Sequence, residues 1–172
     1  MNHRVSRIFA LLFALLSLRG YAQTAPHPAA EQALEQIVLE QDFGDNLKFH
    51  SREAVTFADN SRVRGLNGLM FMRWKGAEPA TEIVASVQWF EETSDLLSFY
   101  RAERARTGRG LLPIGDTIVW KTGEHSYLWT DGEHFVIGLG GSPAIPQEML
   151  EAWLAMIDSN LPDLARVPTD PH

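Results

Sequence analysis

The chain of 172 residues contains no cysteine. Disulfides, thiolate metal sites, thiol nucleophiles and a lipid anchor on an N-terminal cysteine are thereby excluded. Positive charge is also scarce, with 15 Lys and Arg against 22 Asp and Glu and a net charge of −7. Nucleic acids are met first through their phosphates by a positive field, so this balance argues against a nucleic-acid binder and against docking on an anionic membrane surface. Catalytic signatures are missing as well. There is no Gly-x-Ser-x-Gly elbow and no His-x-x-x-His zinc helix. The main apolar run, Ile8 to Leu18, has 11 residues, where a membrane span needs about 20.

What is present begins with that run. Arg4 and Arg7 precede it, and Gly20 and Ala22 stand three and one positions before Gln23. A charged start, an apolar stretch and small residues at a cleavage point are the order of a secretory signal, with cleavage expected after Ala22. An uncleaved anchor is the alternative, and the short run and its flanks weigh against it. The expected location is therefore exported, in a periplasm-like space or secreted. Removal of residues 1–22 takes three Arg with it and leaves 150 residues of net charge −10. Such a chain stays dispersed by self-repulsion, and on folding it buries roughly 68–70% of its surface, enough for one core.

Composition divides the rest. Residues 23–30 form a Pro/Ala spacer, residues 31–161 a single domain, and residues 162–172, with three prolines, a loose tail. Ala33, Leu34, Ile37 and Val38 suit one short helix. Phe49–Phe57, Leu66–Trp74 and Glu82–Phe90 read as strands, separated by turn signals at Asp59-Asn60-Ser61 and Lys75-Gly76. A helix capped by Thr93 or Ser94 follows and ends near Thr107-Gly108. Thr117–Lys121, Glu124–Thr130 and Glu133–Leu139 read as three more strands. Gly140-Gly141-Ser142-Pro143 is expected to break the sheet, and Pro146 opens a last helix with Met149, Leu150, Trp153, Leu154, Ile157 and Leu161 at helical spacing. The expected fold is α+β: an antiparallel sheet of about six strands with helices packed on it, in the order βββα-βββα.

The clearest local signal is Trp129-Thr130-Asp131-Gly132-Glu133. Asp-Gly between apolar strands predicts a two-residue hairpin turn. In that register Trp129 faces His134 and Leu128 faces Phe135. Leu128, Phe135, Ile137 and Leu139 then form the core side. His125, Tyr127, Trp129, His134 and Val136 share the other. Large amphipathic aromatics beside histidine suit a partner-binding face, so His125, Tyr127, Trp129 and His134 are the candidate binding residues. The competing reading is a second core layer, since aromatic cross-strand pairs also stabilise sheets.

Other constellations are weaker. Gly123-Glu124-His125 and Gly132-Glu133-His134 resemble a metal-ligand repeat, but the expected register separates the two His by about 13 Å, too far for one ion. Gly138-Leu139-Gly140-Gly141-Ser142-Pro143 lacks the lysine of a phosphate loop and reads as a connector. Arg101, Arg104, Arg106 and Arg109 complement the negative pole of the first long helix. No metal or cofactor is implied.

The second half carries Ile114-Gly115-Asp116, a hairpin with a Gly turn, Phe135-Val136-Ile137, a break, and Glu148-Met149-Leu150 opening a terminal helix. Over residues 80–161 this layout resembles small exported PsbP/Mog1-like domains. That resemblance implies an antiparallel sheet flanked by helices and an accessory or binding role, and no catalytic residue carries over. The expected function is thus a non-enzymatic envelope or periplasmic accessory module that binds a protein partner in the export compartment. The alternative is a carrier or sensor of a small apolar ligand lined by Met70, Met72, Trp89 and Trp153, since pliable Met and flat Trp suit a variable guest. A hydrolase using His125 or His134 with a nearby acid ranks third.

Overall fold

A computed structural model describes residues 26–58, 63–78, 81–107, 110–114, 117–142 and 145–160. The signal-like residues 1–22, the turn at 59–61 and the tail 162–172 lie outside the described residues. No described helix is long and apolar enough to cross a membrane.

Helix α1 (Pro28–Glu35) starts inside the stretch read as a spacer. The reason is local. His27 is extended and its ring nitrogen Nδ1 accepts from the Ala30 N–H at 3.3 Å, while Pro28 sits where a missing N–H costs nothing. The strands β1 (Leu47–Thr56), β2 (Leu66–Gly76) and β3 (Glu82–Phe90) follow. Helix α2 (Thr93–Thr107) then leads to β4 (Leu111–Ile114), β5 (Thr117–Gly123), β6 (Ser126–Thr130), β7 (Phe135–Ser142) and α3 (Gln147–Asn160).

The seven strands of the described residues form one antiparallel sheet in the order β1-β2-β3-β7-β6-β5-β4. Two meanders, β1-β2-β3 and β4-β5-β6-β7, therefore lie side by side and join through β3 and β7. The α+β class and the antiparallel sheet agree with the sequence reading. Strand β4 is the addition. It has four residues and includes Pro113, and proline in a short run argues against a strand except at an edge, which is where β4 lies. A second correction concerns Gly140-Gly141-Ser142. These residues do not break the sheet but extend β7 against Val84, Ile83 and Glu82. A Cβ on Gly141 would stand 2.8 Å from Ile83 Cγ1 and 3.0 Å from the Glu82 carbonyl, so glycine here permits close strand approach.

The helices divide between the two faces. Face one carries Met70, Met72, Trp74, Val87 and Ile137 and is covered by Leu34 of α1, Ile37 and Phe43 of the following segment, and Met149 and Trp153 of α3. Face two carries Leu69, Phe71, Val84 and Val136 under Leu96 and Tyr100 of α2. The central strand β3 is buried at every position from Ile83 to Phe90 because both its faces are covered.

Candidate functional site

The hairpin between β6 and β7 has a wider loop than the Asp-Gly signal suggests. Thr130 pairs with Val136, Trp129 with Ile137, Leu128 with Gly138 and Tyr127 with Leu139. Asp131 sets this geometry. Its Oδ1 accepts from the backbone N–H groups of Glu133, His134 and Phe135 at 2.9, 3.0 and 2.8 Å. The Thr130 hydroxyl donates to the Phe135 carbonyl at 2.6 Å and accepts from the Gly132 N–H at 3.0 Å. Gly132 adopts a φ of 81°, which glycine tolerates without steric cost. Relative to a two-residue turn the partner of Trp129 moves by three positions, from His134 to Ile137. An odd shift exchanges the faces of one strand relative to the other.

The four candidate binding residues consequently do not form one exposed face. Trp129 is 2% exposed and packs edge-on against Trp153, with ring centroids 5.8 Å apart. Tyr127 is half-buried against the same core. His125 lies at the start of β6, where its carbonyl accepts from the Gly141 N–H and its ring stands 4.0 Å from Glu124. His134 lies at the opposite end of β7, beside Phe90. Its Nδ1 meets the Phe90 carbonyl at 2.9 Å, a contact in which Nδ1 carries the proton and donates. Its ring stacks on Trp89 at 5.7 Å, and His27 approaches Trp89 at 5.2 Å. Among the described residues no group of three or more His, Asp or Glu is close enough to hold a metal ion.

The alternative lining set fares differently. Met70, Met72, Trp89 and Trp153 are all buried in the face-one core. There Trp153 contacts both Trp74 and Trp129 edge-on. The indole N–H groups of Trp129 and Trp153 are buried without a hydrogen-bond acceptor among the described residues.

The open polar surface lies elsewhere, along the outer edge of β1, and the sequence reading did not single it out. Register fixes which backbone groups point outward. The Phe57 N–H donates to the Asn67 carbonyl at 2.8 Å. In an antiparallel ladder hydrogen-bonded pairs alternate with non-bonded ones, so Val55 and Glu53 bond to β2 while Thr56, Ala54 and Arg52 turn their N–H and C=O groups away from it. A bulge between Phe49 and Ser51 shifts the register upstream. There the outward groups are used. The Leu47 carbonyl accepts from the Phe43 N–H at 2.9 Å, and Asp42 Oδ1 accepts from the Phe49 N–H at 2.8 Å. The Phe49 N–H first, and Lys48 second, hold the Asp42 carboxyl below the ordinary aspartate range. The first half of the edge is thus closed and the second half is open.

Helix α1 runs beside the open half in the opposite direction. The His27 N–H donates to the Thr56 hydroxyl at 3.2 Å at one end, and Arg52 Nη2 donates to the Leu34 carbonyl at 2.9 Å at the other. Between them lies a pocket of about 160 Å³ lined by Glu31, Leu34, Glu35, Arg52, Ala54, Val55 and Thr56. Arg52 is committed, since it also meets Glu40 at 3.3 Å and the Met70 sulfur at 3.1 Å. Glu31 and Glu35 are exposed and have no ion-pair partner among the described residues.

No family model, curated protein or solved structure matches this chain.

Proposed function

We propose that the protein is an exported, non-enzymatic accessory module that binds a protein partner, and that the partner docks on the open half of the β1 edge. One observation carries the docking site: Arg52, Ala54 and Thr56 direct backbone donors and acceptors that have no partner among the described residues outward beside a groove walled by α1. Such an edge accepts an added strand, with main-chain hydrogen bonds for affinity and alternate side-chain positions for specificity. The order of charge, apolar run and small residues in the first 22 positions supports export.

The test is crosslinking capture in the export compartment by tagged residues 23–172, with Ala54→Pro alongside. Proline at an outward-facing edge position removes a docking donor and spares the ladder. A discrete partner captured by the parent and lost by the still-folded variant is the expected result. Equal capture by both would move the binding surface away from β1.

A second reading, a carrier of a small apolar ligand, is favoured by the two acceptor-less indole N–H groups in a core rich in Met and Trp. Buried polar groups are almost always satisfied, so two orphans in one cluster invite a guest with a hydrogen-bond acceptor. Native mass spectrometry after gentle purification would show an added mass under this reading and the bare polypeptide mass otherwise.

A further inference from the structure

The groove beside the docking edge also constrains the chemistry of the partner, an inference that rests on the edge-docking reading. The geometry points to an extended peptide segment with Lys or Arg at alternate positions, added as a strand against Arg52–Thr56.

Spacing sets the match. Glu31 and Glu35 are four residues apart on α1 and both line the groove. One helical turn separates them by about 6 Å along the axis. Alternate residues of a strand are separated by about 6.6 Å and point to the same face. Helix α1 lies antiparallel to β1, tied to it at Thr56 and at Arg52. A strand added outside β1 therefore carries side chains at positions i and i+2 past Glu31 and Glu35 in step with them. Those positions lie on face one, because Arg52 and Ala54 stand opposite Met72 and Met70. The small side chain of Ala54 leaves room for the stem of a long side chain over the groove, while its charged head reaches the carboxylates.

Charge then selects the occupant. The one cation among the described residues that line the groove, Arg52, already meets Glu40 and the Leu34 carbonyl. Glu31 and Glu35 remain uncompensated, and Glu53 is exposed on the other side of the same strand. The whole chain carries a net charge of −7. A second copy joined edge to edge about Ala54 would bring two sets of Glu31 and Glu35 together, and like charges across an interface oppose that pairing. A basic segment gains at the same places, and the long-range field steers it toward the groove.

The test uses the isotope-labelled mature chain and the heptapeptide Thr-Lys-Val-Lys-Val-Lys-Thr, with Thr-Glu-Val-Glu-Val-Glu-Thr as its partner probe. Amide hydrogen exchange is read residue by residue. The lysine peptide is expected to slow exchange at Arg52, Ala54 and Thr56 by about tenfold or more, with no change at Glu53 and Val55, which are already bonded. The glutamate peptide is expected to leave all five unchanged. Ala54→Pro should abolish the effect of the lysine peptide, and Glu31→Lys with Glu35→Lys should transfer it to the glutamate peptide. Equal protection by both peptides overturns the charge inference and leaves edge docking standing. Protection by neither peptide overturns the proposed chemistry, and the Ala54→Pro capture comparison then decides separately whether the edge docks anything. Protection that grows with protein concentration in the absence of peptide assigns the edge to a second copy and overturns the proposal.

Discussion

The β6–β7 hairpin and the β1 edge make opposite use of the same backbone. The hairpin is rich in aromatic residues and looks like a binding surface in sequence, yet Trp129 is 2% exposed and fills the core. The β1 edge from Arg52 to Thr56 carries no aromatic residue, yet it presents backbone groups without a partner among the described residues, beside a groove. The difference teaches that side-chain type does not settle exposure. Register decides which face a side chain takes, and the elements packed on that face decide whether it meets solvent.

Substitution separates the two regions most sharply in the hairpin. Trp129→Ala should lower stability by about 3–5 kcal/mol in denaturant titration, the ordinary cost of emptying a buried Trp site. Tyr127→Ala should cost clearly less, because Tyr127 is half-buried. A Trp129→Ala variant as stable as the parent would return that residue to the surface. Asp131→Ala should cost about 2–3 kcal/mol, since it leaves the Glu133, His134 and Phe135 N–H groups without their shared acceptor. Retention of full stability there would mean that the wide loop does not depend on Asp131.

Paired prolines probe the edge. Val55→Pro removes an N–H bonded to β2 and should cost about 2–3 kcal/mol, whereas Ala54→Pro one residue away should cost less than about 1 kcal/mol. Equal penalties in thermal or denaturant melts would contradict the assigned register. The smallest effect is expected at the closed half of the edge. The Asp42 carboxyl is held below its ordinary range by the Phe49 N–H and by Lys48. A depressed folded-state pKa stabilises the fold above the unfolded value, and this contribution fades as pH falls through the folded value. Protection of the Phe49 amide should therefore decline on acidification below the ordinary aspartate range. Asp42→Asn should flatten that dependence.

Much of the fold was legible because period and punctuation agreed. Glu82–Phe90 reads with its observed bounds, and Thr93–Thr107 and the helix after Pro146 are located by their first polar or proline residue and by apolar spacing. Thr93 is not the cap expected of it, since it lies inside the helix and its hydroxyl donates to the Glu133 carbonyl. Strand β4 escaped because proline in a four-residue run carries no periodic signal. Gly140 and Gly141 read as a break because glycine marks both loops and close strand contacts, and only the partner strand distinguishes them. On β7 the expected core residues Phe135, Ile137 and Leu139 lie in the core, but on β6 the faces are exchanged, with Trp129 and Tyr127 beside them in place of Leu128. The reason is that the Asp-Gly signal implies two loop residues, whereas Asp131 accepts three backbone N–H groups and widens the loop. The groove was invisible for a related reason. Its acids lie on α1 and its open backbone on β1, and nothing local to either segment announces that the two lie side by side.

The most direct measurement is residue-resolved amide hydrogen exchange of the free polypeptide 23–172 across residues 51–56. An open edge requires an alternating pattern, with Arg52, Ala54 and Thr56 exchanging about a hundredfold faster than Glu53 and Val55. Uniform protection along the strand would mean that the edge is already covered, and the docking surface proposed for this protein would not exist.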